Sequence, residues 1–257
     1  MKISVCGKGG SGKSTIVALL ASEAQERGYR VLVVDADESN SGLFRLLGFD
    51  RPPLPLMEFL GGKPGLKDRM RQPSIFPEPT ITVDGIPPGH LLKRNGLMLV
   101  SIGKILQSLE GCACPMGVLS REFLKKLTIK KGEMVIVDTE AGIEHFGRGV
   151  ETSLDSVLIV VEPSLESLEL ATRANKLSAG SGIKNIWAVL NKVPSAGITA
   201  QLKRELARKK IEVIGRIHQD AEVLKSGLEG SAIKRGKAIM EIVEVLDRIL
   251  EGSSISS

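Results

Sequence analysis

Gly7-Lys8-Gly9-Gly10-Ser11-Gly12-Lys13-Ser14-Thr15 is the stretch that decides the fold. It fits G-x-x-x-x-G-K-[ST], a pattern with meaning only between a strand and a helix. Both stand beside it. Ile3–Cys6 is a short apolar run, and Lys13–Arg27 carries apolar residues at helical spacing. Glycines let backbone N–H groups turn inward around anionic oxygens, and the helix start adds positive potential there. The pattern predicts that Gly9, Gly10, Ser11, Gly12 and Thr15 surround nucleotide phosphates. Lys13 is expected to meet the β- and γ-phosphates, and Ser14 to ligate Mg2+.

Outward from the loop, Val31–Val34, Met134–Val137, Val157–Val161 and Ile186–Leu190 read as buried parallel strands. Leu165–Ala179 and Ile198–Lys210 read as amphipathic helices. Strand and helix alternate, which predicts an α/β fold: a mostly parallel, doubly wound sheet with helices on both faces. Two of the strands end in acids. Asp35 and Asp37 are two residues apart, so in an extended segment both carboxylates point the same way at the sheet's C-terminal edge. Doubly wound sheets bind ligands at that edge. Asp138 ends another apolar strand, Val135-Ile136-Val137. A lone strand-ending Asp is commonly a turn former; a loop followed by two such acidic ends points to a nucleotide site.

The chain has 257 residues, of which 42% are apolar and 25% charged, so it can bury a real core. The net charge of +5 is spread out and forms no basic tail. One Trp, one Tyr and six Phe leave few stacking platforms, so no nucleic-acid partner is expected. No apolar run approaches the ~18 residues of a membrane span. The N-terminus lacks the order of a secretory signal, and three cysteines are too few for a disulfide scaffold, so a cytoplasmic setting is expected. Residues 51–96 hold nine of the twelve prolines, which forbids a long helix. The expectation is one domain, residues 1–251, with 51–96 as a long surface insertion carrying a short hairpin of Thr80–Val83 with Leu97–Val100. Residues 252–257 are expected to be a disordered tail.

Lys8 adds a further signal. By itself it is a solvated side chain. Within KGGxGK[ST], however, it resembles the deviant Walker A loop of the nitrogenase iron protein, MinD and ParA group. That resemblance implies an ATPase with a P-loop fold of the MinD-like type and a homodimer formed on ATP, in which Lys8 reaches the partner's nucleotide. It also implies a magnesium-water ligand at Asp35, a water-positioning carboxylate at Asp37, a Walker B acid at Asp138 and a second-switch glycine at Gly142. In related proteins an asparagine at the place of Asn191 contacts the base; read alone, Asn191 could equally cap a helix. His218 and Asp220 correspond to a second wall of the base pocket.

Cys6 reads as a small buried apolar residue. Cys112 and Cys114 lie in Gly111-Cys112-Ala113-Cys114-Pro115-Met116-Gly117 and are either unrelated loop cysteines or a chelating pair. Zinc and nickel each want four ligands of this kind, and a two-fold dimer would double the pair to four. With Asp138-Thr139-Glu140-Ala141-Gly142-Ile143-Glu144-His145, the pair resembles the CooC-type nickel-insertion ATPases. That likeness implies a metallochaperone holding Ni2+ or Zn2+ across the dimer, with carbon monoxide dehydrogenase or a related nickel enzyme as client. Glu144 and His145 read as helix-start or switch residues, and His90 has no readable partner.

The alternative is a MinD- or ParA-type positioning or partition ATPase. The C-terminal helix argues against it. Ile239, Ile242, Val243, Leu246, Ile249 and Leu250 form one apolar stripe, and the mostly acidic opposite face opposes anionic lipid, so no membrane partner is expected. Lys203, Arg204, Arg208, Lys209 and Lys210 read as a solvated helix face. A small-molecule kinase would leave Lys8 unexplained.

Overall fold

The computed structural model describes residues 1–39, 41–104, 114–143, 146, 149, 153–234 and 236–254. Cys112, Glu144, His145 and the side chain of Cys114 lie outside the described residues. The strands are β1 (Lys2–Gly7), β2 (Arg30–Asp35), β3 (Ile81–Thr82), β4 (Leu91–Arg94), β5 (Leu97–Ser101), β6 (Leu127–Thr128), β7 (Glu133–Asp138), β8 (Ser156–Val161), β9 (Asn185–Val193) and β10 (Glu212–His218). Eight of them form one sheet in the order β10-β9-β8-β1-β7-β2-β5-β4. Only the edge strand β4 is antiparallel. The sheet is the mostly parallel, helix-covered sheet that the alternation predicts.

The helices are α1 (Lys13–Glu26), α2 (Leu43–Leu46), α3 (Leu56–Phe59), α4 (Gly62–Arg69), α5 (Cys114–Lys126), α6 (Leu165–Gly180), α7 (Ala196–Arg208), α8 (Ala221–Glu229) and α9 (Lys237–Ser254). Side chains alternate across a strand, and the sheet uses that period to separate its two coats. Ile3, Val5, Val31, Val33 and Ile136 meet α1 and α9 on one face. Leu32, Val34, Val135 and Val137 meet α5 and the proline-rich stretch on the other. Further along that second face, Cys6, Val157, Ile159 and Val161 meet α6 and α7.

Three local expectations change. The hairpin is β4 with β5, joined by Asn95-Gly96, both at positive φ. That dipeptide is the strongest short hairpin signal. Ile81–Thr82 pairs instead with Leu127–Thr128, because Leu97–Ser101 is fully buried between β2 and β4 and has no free edge for it. Second, the proline-rich stretch is no mere surface excursion. Leu56, Met57, Leu60, Leu66, Ile75, Phe76, Val83 and Ile86 are all buried against the sheet. His90 helps hold this stretch, with Nδ1 3.0 Å from the carbonyls of both Leu54 and Pro55 and its ring edge-on to Phe59. Third, Gly252, Ser253 and Ser254 extend α9. A Cβ on Gly252 would lie 2.5 Å from the Trp187 ring, so the helix end is seated, not frayed. The buried face of α9 is Ala238, Ile242, Val245, Leu246 and Ile249, with Ile239 and Leu250 half-buried. Val243 sits at its margin.

Candidate nucleotide site

The loop after β1 turns at Gly10 and Gly12, with φ of +78° and +94°. Those values suit glycine and strain other residues. Space is limiting too: a Cβ on Gly12 would lie 2.2 Å from Asn191 Nδ2. The Ser11 N–H donates to the Lys8 carbonyl at 3.1 Å and closes the turn. From the far side, Asn191 in β9 donates Nδ2 to the Ser11 carbonyl at 2.7 Å. Lys192, held at φ +56°, donates to the Gly10 carbonyl. The loop is therefore braced from a strand that lies 180 residues along the chain.

Lys13 opens α1 with its side chain nearly buried, and its Nζ donates to the Lys8 carbonyl at 3.5 Å. Ser14 Oγ donates to Asp138 Oδ2 at 2.6 Å. Asp138 ends β7 in register with Asp35 at the end of β2, so the two buried carboxylates stand side by side. Burial pushes the Asp138 carboxyl up to about 7, with the Asp35 charge adding to the push and the Ser14 hydroxyl opposing it. Burial likewise pushes Asp35 up to about 6, against the pull of Lys104. Asp37 accepts from Ser39 N–H at 2.9 Å and from Ser39 Oγ at 2.7 Å, all at one oxygen. Gly142 N–H donates to the Gly7 carbonyl at 3.2 Å, which sets the segment after β7 against the phosphate loop.

These groups fit a divalent cation. Asp35 Oδ1 is buried with no hydrogen-bond partner, and hard oxygen donors at Ser14, Asp35 and Asp138 converge. A cation near Ser14 would offset the repulsion among the carboxylates.

Two cavities meet at the loop. One, about 560 Å3, is lined by Gly9, Gly10, Gly12, Lys13, Ser14, Thr15 and Asp37. The other, about 820 Å3, is lined by Asn191, Val193, Pro194, Ile217, His218 and Leu224 among others. Gly12, Thr15 and Lys192 border both, so the two form one trough with a phosphate half and a more apolar half. His218 borders that second half, with Nδ1 2.5 Å from Glu241 Oε1 of α9. Asp220 borders it too, but its oxygens accept from the N–H groups of Glu222 and Ala238, each at 2.8 Å. Asp220 thus builds the wall by capping α8 and the start of α9. Asn191 gives one of its two amide hydrogens to the loop.

Four residues of this neighbourhood went unread in the sequence. Glu162 accepts from Lys8 Nζ at 3.2 Å and has its other oxygen 3.4 Å from Lys192 Nζ. Lys104 lies on Asp35. Lys192 braces the loop, and Arg45 lines the phosphate cavity. None lies at a motif spacing from the loop, so only the asparagine before Lys192 offered a hint.

The sequence pattern of the CobQ/CobB/MinD/ParA nucleotide binding domain matches residues 3–233. The chain belongs to this family. It is an ATP-binding ATPase of the MinD/ParA type. An uncharacterized ATP-binding protein of Methanocaldococcus jannaschii is 42% identical over 255 residues, 96% of this chain and 100% of that protein. The carbon monoxide dehydrogenase accessory protein CooC of Rhodospirillum rubrum is 37% identical over 202 residues, covering 76% of this chain and 75% of that one. The septum site-determining protein MinD of Pyrococcus horikoshii, solved with Mg-ADP, superposes with a TM-score of 0.73 at 17% identity, over 100% of this chain and 98% of MinD. At that identity the likeness speaks to the MinD/ParA fold. No helix of the described residues is long and apolar enough to cross a membrane. Among those residues, no group of three or more His, Cys, Asp or Glu side chains could hold a metal ion.

Proposed function

We propose that this MinD/ParA ATPase is a metal-delivery protein that dimerises on ATP and helps insert nickel into carbon monoxide dehydrogenase or a related nickel enzyme. The observation that carries this reading is the 37% identity to CooC over three quarters of both chains. The cysteine pair supplies the chemistry. Cys112 and Cys114 give two thiolates per chain, and a two-fold axis gives the four that a soft divalent cation takes. The nickel is cargo, and zinc could occupy the same sulfurs.

In this reading ATP lies along the trough, its phosphates on Gly9 to Thr15 and its base in the apolar half. Lys13 neutralises charge on the transferring phosphoryl group, and Lys8 does the same for the partner's nucleotide. Asp37 holds the attacking water. Ser14, with Asp35 and Asp138 around it, would hold Mg2+, which would supply neutralisation of phosphate charge.

A MinD- or ParA-type positioning role is the second reading, supported by the family match. Against it stands α9, whose apolar stripe is packed on the sheet and α1 and so is not offered to a lipid surface.

The deciding experiment is elemental analysis of purified protein with Mg-ATP, wild type beside Cys112→Ser/Cys114→Ser. One nickel or zinc per two chains, lost in the variant while ATP still binds, is expected. One metal per single chain, or metal retained in the variant, would overturn the reading.

A further inference from the structure

Lys104 follows β5 and its side chain is 15% exposed. A lysine this far from water needs anionic or carbonyl acceptors. It finds two. Nζ lies 2.7 Å from Asp35 Oδ2 and donates to the Asp37 main-chain carbonyl at 2.5 Å. One ammonium therefore ties together the two residues to which the proposed function gives a place around Mg2+ and the attacking water.

Its placement says how it acts. The residues lining the phosphate cavity include Asp37 but not Lys104. Lys104 borders an adjoining cavity of about 150 Å3, with Asp35, Glu38 and Ser39, and Ser39 borders the phosphate cavity as well. The ammonium thus lies on the Asp35 side and does not line the phosphate cavity. Holding Asp35 by Oδ2 leaves Oδ1, which is buried and has no hydrogen-bond partner, as the acceptor for a metal-bound water. Pinning the Asp37 carbonyl fixes the backbone from which the Asp37 carboxylate reaches out. A carboxylate on a strand end can turn about its χ angles, and a salt bridge on one oxygen removes that freedom.

We infer that Lys104 is a positioning residue for ATP hydrolysis: it orients Asp35 toward the magnesium shell and fixes the backbone of Asp37, without touching nucleotide. The inference rests on the roles proposed above for Asp35 and Asp37.

The test is steady-state ATP hydrolysis across a Mg2+ titration, for wild type, Lys104→Met, Lys104→Arg, Asp35→Asn and Lys104→Met/Asp35→Asn. Lys104→Met should bind ADP without Mg2+ as wild type does, which separates positioning from loss of the fold. It should need about tenfold more Mg2+ for half-maximal rate and lose about tenfold or more in kcat, with KM little changed. Lys104→Arg should recover part of both. The double variant should be no worse than Asp35→Asn by more than the small share carried through the Asp37 carbonyl, because residues acting through one another are not additive. If Asp35→Asn is harmless, the proposed metal role fails. If Asp35→Asn is harmful and Lys104→Met is not, or if the two effects simply multiply, the inference about Lys104 is overturned. Should Lys104→Met lose Mg2+-free ADP binding, Lys104→Gln, which keeps a donor for the Asp37 carbonyl, is judged by the same outcomes.

Discussion

The Lys8 ammonium lies 3.2 Å from Glu162 Oε1 of its own chain. Glu166 is also near, at 3.9 Å. In the proposed dimer Lys8 must instead reach a second nucleotide, so this contact competes with association. Glu162 holds Lys192 as well, and Lys192 holds the Gly10 carbonyl. The acid therefore couples the signature lysine to the loop's shape.

Glu162→Gln should strengthen ATP-dependent dimerisation. The Lys8 side chain is 35% exposed, and pairs of that kind contribute about 0.2–1 kcal/mol, so the gain is up to about fivefold in dimer affinity. Sedimentation equilibrium with Mg-ATP measures it. Lys8→Ala should weaken the dimer, and a Glu162→Gln protein that associates no better than wild type would exclude competition by Glu162.

Asp37→Ala should bind ATP and nearly cease to hydrolyse it. Loss of a positioned water-orienting carboxylate costs about 100-fold or more in rate. Ser39, which donates to the same Asp37 oxygen through N–H and Oγ, should matter less, because the backbone donor survives in Ser39→Ala. Phosphate release under saturating Mg-ATP gives the comparison.

Asp220 offers a pH-dependent effect on stability. Burial pushes its carboxyl up, but N–H donors from Ala238, Glu222, Val223 and Lys237 outweigh that and hold it below its ordinary value of 3.8. A carboxyl depressed in the folded state stabilises the fold above its unfolded pKa and loses that contribution as pH falls through the folded value. Asp220→Ala should therefore cost about 0.5–2 kcal/mol at pH 7, the usual worth of a cap. The gap to wild type should shrink below about pH 4. Urea denaturation at pH 7 and pH 3 tests this; a gap that widens in acid would contradict it.

Gly252→Ala sets two effects against each other. Alanine favours an exposed helix interior by roughly 0.5–1 kcal/mol over glycine. Here its Cβ would lie 2.5 Å from the buried Trp187 ring, and overpacking costs about 1–3 kcal/mol. The clash should win, giving a net loss of stability. Trp187 is the sole tryptophan, so its emission spectrum should shift in the variant and report the contact directly.

The phosphate loop, the five strands around it and the acids at their ends were all written in the sequence, because each is a short-range pattern. Glycines, one lysine and one hydroxyl in nine residues specify a backbone shape. A β-branched run specifies a buried strand, and Asp at its end falls at the sheet edge whatever the neighbours are. Partners across the chain follow another rule. Leu97–Ser101 is apolar enough for any strand, and only the assembled sheet put it between β2 and β4. Glu162 meets Lys8 across 154 residues, and Lys104 meets Asp35 because β5 lies beside β2. Asp220 stood in the sequence only as part of a base-pocket wall, and the Ala238 N–H reaches it because α9 packs there. Local sequence determined the phosphate-binding loop, the central strands and the helices with strong apolar periodicity, since those patterns lie within a few neighbouring residues. Which charges pair, which caps form and which carboxylate stays open were decided only when packing of the sheet and its helices fixed distances that no sequence spacing encodes.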